Sequence, residues 1–180
     1  MDLFSLGTPV IDEFAHVGGK ELAKLGVKKG ATNYFSAPHL AKIERLLSKK
    51  ITYRYAGDNA RNVCEGFAAL GGFCGYSGAI GDDKAGAFFE NNLTECGVAS
   101  FLQVKNGSTG KIIALVTKDG ERTFCADLGV STECDAYEEV ALRESHMFFV
   151  TSITLAGGKP TARLAYRYLQ ECKRLGKRIY

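Results

Sequence analysis

From Ala56 to Gly86 the chain reads AGDNARNVCEGFAALGGFCGYSGAIGDDKAG, and its glycines and acids fall where a chain alternating between helix and strand has to turn. Asp58 or Asn59 can cap a helix over about 60–70, since each offers a side-chain oxygen to unpaired backbone N–H groups. Val63, Phe67 and Leu70 stand at i, i+4 and i+7, the spacing of one buried helical stripe. Gly71-Gly72 ends that helix without Cβ strain. Phe73 to Ser77 reads as a short strand, and Gly78, Gly81 and Gly86 frame a polar turn holding Asp82 and Asp83. A helix N-terminus preceded by Gly57, Asp58 and Asn59 has two readings. It is a capped helix of an α/β domain, or its free N–H groups and positive dipole end meet a polar ligand. The residues alone leave both open.

The alternation continues outward. Leu3 to Gly7 is a short apolar strand stopped at Gly7-Thr8-Pro9, and Val10 to Val17 is a second strand interrupted by Asp12. That acid is either a solvent-facing strand residue or a ligand contact at a strand end. Lys20 to Leu25 forms a short helix. Ser36 caps another through about Ser48, with Pro38 in its first turn and Leu40, Ile43 and Leu47 on its apolar face. Asp83 to Cys96 is a helix with Ala85, Phe88 or Phe89, Leu93 and Cys96 on one face, closed by Gly97.

From 99 to 126 the period becomes that of strands. Phe101 to Val104, Lys111 to Thr117 and Arg122 to Ala126 are separated by Asn106-Gly107 and Asp119-Gly120, both hairpin signals, which predicts a separate small sheet. Met147 to Thr151 is a buried-type strand. Pro160 starts a helix to about Leu175 with Thr161, Ala165, Tyr168 and Cys172 on one face, and Lys177 to Tyr180 begins another strand. Helix and strand in this order imply right-handed crossovers and a mostly parallel sheet covered by helices.

Composition narrows the function classes. Hydrophobic residues make up 46% and charged residues 24% of 180 residues, which suits one soluble domain with a sizeable core. The net charge is only +3 and no basic cluster exceeds Lys28-Lys29 or Lys49-Lys50, so nucleic-acid binding is not indicated. Six cysteines without a Cys-x-x-Cys pair read as core thiols in a reducing, cytoplasmic setting. No stretch approaches membrane-spanning length. There is no phosphate-binding Gly-x-x-x-x-Gly-Lys loop, no Ser-centred nucleophile elbow and no metal-like spacing among His16, His39 and His146.

Asn62 precedes Leu70-Gly71 by a fixed interval, and Gly78-Ala79-Ile80-Gly81-Asp82-Asp83-Lys84-Ala85-Gly86 follows. Together they resemble the N-terminal signature of the ribokinase-type (PfkB) sugar and nucleoside kinases. The signature's paired glycines fall at Gly57 and Asp58, so an acid replaces the second glycine. Gly7-Thr8-Pro9-Val10-Ile11-Asp12 matches the family run whose carboxylate takes two neighbouring sugar hydroxyls. The insertion between residues 18 and 50 and the Glu121-Arg122-Thr123 to Leu128-Gly129 run are similar to the adenosine-kinase-like branch.

The resemblance implies a three-layer α/β/α core of Rossmann-like, ribokinase-like type, with a small β-sheet lid from about 12–17, 31–35, 51–56 and 99–126. Residues 1–180 then correspond to the N-terminal part of the kinase domain, without the C-terminal part of that fold. It further implies an ATP- and Mg2+-dependent transfer of phosphate to a nucleoside or sugar hydroxyl. Thr8, Asp12, Gly57, Asp58, Asn62, Arg122, Phe124 and Ile153 are its acceptor-binding candidates, and Val10 and Phe101 complete an apolar slot for a base. Arg122 is either a solvated strand-end charge or a neighbour of the transferred phosphoryl group. The family's catalytic Asp and phosphate-holding loop have no counterpart here, so this stretch is expected to be inactive alone. It implies no metal ligand in this chain, and a homodimer through the lid. The competing reading is a non-catalytic module binding a nucleoside, a sugar or a protein.

Overall fold

A computed structural model describes residues 1–180, apart from the side chain of Lys159. In chain order its elements are β1 (Leu3–Leu6), β2 (Val10–His16), α1 (Gly19–Lys24), β3 (Thr32–Tyr34), α2 (Ala37–Leu47), β4 (Ile51–Gly57), α3 (Asn59–Ala69), β5 (Cys74–Gly81) and α4 (Lys84–Glu95). There follow β6 (Ala99–Lys105), β7 (Gly110–Val116), β8 (Arg122–Asp127), α5 (Glu139–Glu144), β9 (Met147–Val150), α6 (Ser152–Gly157), α7 (Lys159–Arg174) and β10 (Arg178–Ile179).

The main sheet has the order β10-β9-β1-β5-β6, and every neighbouring pair is parallel. Helices cover both faces, so its strands are buried on both sides and read as apolar runs. On β1, Leu3 joins Cys64, Tyr76, Phe89 and Leu93 on the α3–α4 side. Phe4 and Leu6 point the other way, among Leu142, Phe148, Ala165, Tyr168 and Cys172 on the α5–α7 side. Phe4 packs edge-on against Phe101 at 5.6 Å and Tyr168 at 5.5 Å. These layers make the α/β/α core expected from the sequence. No helix among the described residues is long and apolar enough to cross a membrane.

The second sheet is mixed, in the order β3-β8-β7-β2-β4. One face is covered by α1 and α2, whose Leu22, Leu40, Ile43 and Leu47 pack on Ala15, Ile113, Leu115 and Cys125. The other face borders the main domain.

Three expectations are corrected. Residues 99–105 form β6, which pairs parallel to β5 in the main sheet, so the second sheet takes only 110–116 and 122–127 from the 99–126 stretch. Asn106-Gly107 is accordingly a crossover between sheets instead of a hairpin. Asp83 holds it there, accepting from Thr109 N–H at 2.9 Å and Thr109 Oγ1 at 2.7 Å while it caps α4 through Gly86 N–H at 2.7 Å.

The stripe of α3 is also rotated. Ala60, Arg61 and Cys64 are its buried residues, whereas Val63 is 38% and Leu70 90% exposed. Arg61 goes inward because its guanidinium reaches Asn92 Oδ1 on α4 at 2.5 Å and ion-pairs with Glu65. Finally, the strand expected over 73–77 runs Cys74–Gly81. Gly78 lies inside it because Pro9 leaves no room there for a Cβ.

Candidate functional site

β2 presents residues alternately to its two sides. Ala15 goes to the helices, while Val10, Asp12 and Phe14 line the opposite face. Ile112 and Ala114 of β7 and Arg122 and Phe124 of β8 continue that face. Thr8 from the β1–β2 turn, Asp58 and Asn59 from the start of α3, and Ile153 from α6 close it from the main-domain side. The result is a cleft of about 360 Å³, also touched by Thr32 and Leu128. Ligand clefts typically span about 300–1,000 Å³.

Six of the eight acceptor-binding candidates, Thr8, Asp12, Asp58, Arg122, Phe124 and Ile153, therefore meet in one cleft, with Val10 between them. Gly57 stands opposite Val10 in the β2–β4 ladder and behind Asp12, where a Cβ would collide with the Asp12 carboxylate. Asn62 lies outside the lining. It is exposed on α3, and its Oδ1 accepts from Arg61 Nη1 at 3.1 Å. Phe101 is elsewhere, in the core against Phe4.

Two carboxylates dominate the electrostatics. Asp12 is half-buried and makes no hydrogen bond or ion pair among the described residues; burial pushes its pKa up to about 6. Desolvation disfavours the charged form, and no donor offsets it. The Asp58 pKa is likewise raised to about 6 by burial, against the pull of the Tyr76 hydroxyl and the N–H groups of Arg61, Thr8 and Ala60. Its Oδ2 accepts from Tyr76 at 2.9 Å and from Arg61 N–H at 3.2 Å, capping α3. Tyr76 is held protonated by burial and by this neighbouring charge.

Asp58 has φ +130°, the one non-glycine residue with positive φ among those described. Such a conformation costs on the order of 1–3 kcal/mol and persists where the surroundings over-determine it. Here the cap and the Tyr76 bond do so. The side chain replacing the second signature glycine is thus built into the main domain. Arg122 is exposed at the cleft and has no ion pair among the described residues.

Phe14, Thr32, Asn59, Ile112, Ala114 and Leu128 complete the lining and were not among the sequence candidates. The two-residue period of β2 and β7 would have found Phe14, Ile112 and Ala114, and the capping position marks Asn59. Thr32 arrives by tertiary contact and carries no local signal, whereas Leu128 ends the run from Glu121 to Gly129 already singled out in the sequence.

The pattern that describes pfkB family carbohydrate kinases matches residues 22–177. Aminoimidazole riboside kinase of Salmonella typhimurium is 31% identical over 120 residues, which span 64% of this chain and 38% of that protein. Adenosine kinase from Sinorhizobium meliloti superposes with a TM-score of 0.84 at 25% identity, covering 99% of this chain and 55% of that one. Anopheles gambiae adenosine kinase in complex with P1,P4-di(adenosine-5) tetraphosphate gives 0.87 at 21% identity, with 99% and 56% covered. A probable sugar kinase from Rhizobium etli gives 0.85 at 22% identity, with 99% and 54% covered. The last two speak to the fold alone. The chain spans about half the length of these solved structures.

Proposed function

Since the chain belongs to the pfkB family of carbohydrate kinases, we propose that its cleft holds the acceptor of an ATP-dependent phosphotransferase, a nucleoside or sugar offering its hydroxyl groups. The observation that carries this reading is Asp12: an unpartnered carboxylate between apolar walls, able to accept from two adjacent hydroxyls. Val10, Phe14, Ile112 and Phe124 on the sheet face, with Ile153 across from them, supply the apolar surface a base needs. A nucleoside is therefore preferred over a free sugar, in keeping with the riboside and adenosine named for the relatives.

ATP and Mg2+ enter this reading from the family. The described residues hold no group of three His, Cys, Asp or Glu side chains that could bind a metal ion. This chain's contribution is acceptor binding, with the Arg122 charge available to the transferred phosphoryl group. Residues 1–180 are read as the acceptor-binding half and lid, unable to turn over alone. A cytoplasmic setting and a homodimer through the second sheet belong to the same reading.

Isothermal titration of residues 1–180 with adenosine, inosine, cytidine, ribose and fructose tests it. A base stacked on the apolar wall contributes on the order of 1–3 kcal/mol, so a nucleoside should bind about 5- to 150-fold more tightly than ribose. Asp12→Ala should weaken binding by about 1.5–3 kcal/mol, the worth of hydrogen bonds to a charged group. Binding of ribose or fructose with no nucleoside would overturn the nucleoside preference, and binding of none would overturn the acceptor site. Phosphorylation of any of them by residues 1–180 with ATP and Mg2+ would overturn the inactive-half reading.

A further inference from the structure

Asp58 is a cleft residue whose charge is pinned. A flexible acid could swing aside for an incoming anion, but the Asp58 carboxylate is tied to three elements. Tyr76 of β5 donates to it, the first turn of α3 donates through Arg61, and the β1–β2 turn passes so close that a Cβ on Gly7 would strike its Oδ2. The backbone holds an unfavourable φ of +130° to keep it there. Strain retained at a ligand cleft is the kind of outlier from which a functional role is inferred.

Its charge also changes the polarity of the helix start. The first N–H groups of a helix attract anions, and here an internal carboxylate already sits at that end and accepts from the Arg61 N–H. With Asp12 alongside and Arg122 the only basic residue of the lining, the cleft carries two acids against one base.

We propose that Asp58 is a specificity-determining residue that excludes acceptors carrying a negative group beside their ring hydroxyls and admits uncharged ones. The proposal rests on the acceptor reading of the cleft and adds the charge class of the substrate. It also accounts for an acid where a glycine would cost the backbone nothing: the side chain contributes a fixed negative potential that no glycine can.

The test compares adenosine with adenosine 3′-monophosphate by isothermal titration, on the wild-type chain, Asp58→Asn and Asp58→Gly. Asn is isosteric with the Asp already held at φ +130° and keeps a capping oxygen, and Gly adopts this conformation freely by lacking a Cβ. A fixed charge near a ligand charge in a partly buried site is worth on the order of tenfold in affinity or more. The expected result is an absolute gain of about tenfold for the monophosphate in both variants, which damaged packing would not produce. The wild-type preference for adenosine should also shrink as salt is raised.

If adenosine binds and neither variant gains affinity for the monophosphate, this inference is overturned while the acceptor site stands. A parallel loss of both ligands would reassign Asp58 to a purely structural role. If no uncharged acceptor binds the wild type, the acceptor reading fails and this inference falls with it.

Discussion

The ordinary pKa of the Asp12 side chain is 3.8, and burial without a donor pushes it up to about 6. A raised carboxylate pKa means that the folded state holds its proton more tightly than the unfolded chain. Its stabilising contribution is full below about pH 4 and is lost as pH rises through about 6. Asp12→Asn should therefore melt higher than wild type at pH 8, by on the order of a few degrees, and close to it at pH 4. Acceptor binding runs the other way. On the proposed reading the ionised carboxylate accepts from two hydroxyls, so affinity for adenosine should fall as pH drops from 8 through 6, and Asp12→Asn should be weak and flat across that range. Calorimetric melting and titration at matched pH values check both halves, and a wild-type affinity independent of pH between 5 and 8 would count against Asp12 as the contact. On the proposed reading Phe124 stacks on the base and has no part in holding the sugar. Phe124→Ala should weaken adenosine by about 1–3 kcal/mol and leave ribose within twofold, measured by competition.

At the scale of elements, Asp83 ties the second sheet to the main sheet. One carboxylate caps α4 and holds both the N–H and the hydroxyl of Thr109 at the head of β7. Burial acts to raise its pKa, but these donors together with the Ala85 N–H outweigh it and leave the carboxyl below its usual value. The contribution is thus present at neutral pH and lost on acidification below the ordinary Asp range. Asp83→Ala removes an N-cap and two further bonds to a charged acceptor, so it should cost about 2–4 kcal/mol, read by urea unfolding at pH 7. A loss below about 1 kcal/mol would mean that the crossover is held by other contacts.

The same crossover shows where the sequence misleads. Asn106-Gly107 looks like a hairpin locally, and contacts distant in sequence, from Asp83 and the Gly81 N–H to Thr109, divert the strand that follows it. The face of α3 was misjudged for a related reason. A heptad-like stripe identifies an apolar helix face, but Arg61 finds partners on α4, and that pairing turns Ala60 and Cys64 inward in place of Val63 and Leu70. By contrast, Thr161, Ala165, Tyr168 and Cys172 on α7 are all buried as their spacing predicts. Its inward face packs among Phe4, Leu142 and Phe148, so the apolar period is enough to decide its orientation. The helices α5 and α6 were not foreseen, being six residues each and too short to show a period. Most of the cleft was legible because Thr8, Asp12, Asp58, Arg122 and Phe124 sit in motifs with fixed spacing. Thr32 was not, because it reaches the cleft through the packing of whole elements.

For the whole molecule, the two sheets have different surroundings. The main sheet is covered by helices on both faces, whereas the second is covered on one, and its last strand, β4, is paired only to β2. Asp12 stands opposite Tyr55 and Phe14 opposite Tyr53 in that ladder, so the two tyrosines extend the cleft face outward. They are 54% and 59% exposed and stacked with ring centroids 6.1 Å apart. An exposed strand edge is a row of unpaired N–H and C=O groups, and an adjoining aromatic pair adds apolar surface that gains by being covered. The homodimer proposed through the second sheet buries both features at once. Residues 1–180 should then sediment as a dimer at micromolar concentration, and Tyr53→Lys with Tyr55→Lys should shift the equilibrium to monomer by placing like charges across the symmetric contact. Because the tyrosines lie beside Phe14 and Asp12, dimerisation and acceptor binding should be coupled: adenosine should tighten the dimer, and the lysine variant should bind adenosine more weakly than the wild type at the same concentration. A wild type that stays monomeric by analytical ultracentrifugation with and without adenosine would remove the dimer from this account and leave β4 as an uncovered edge.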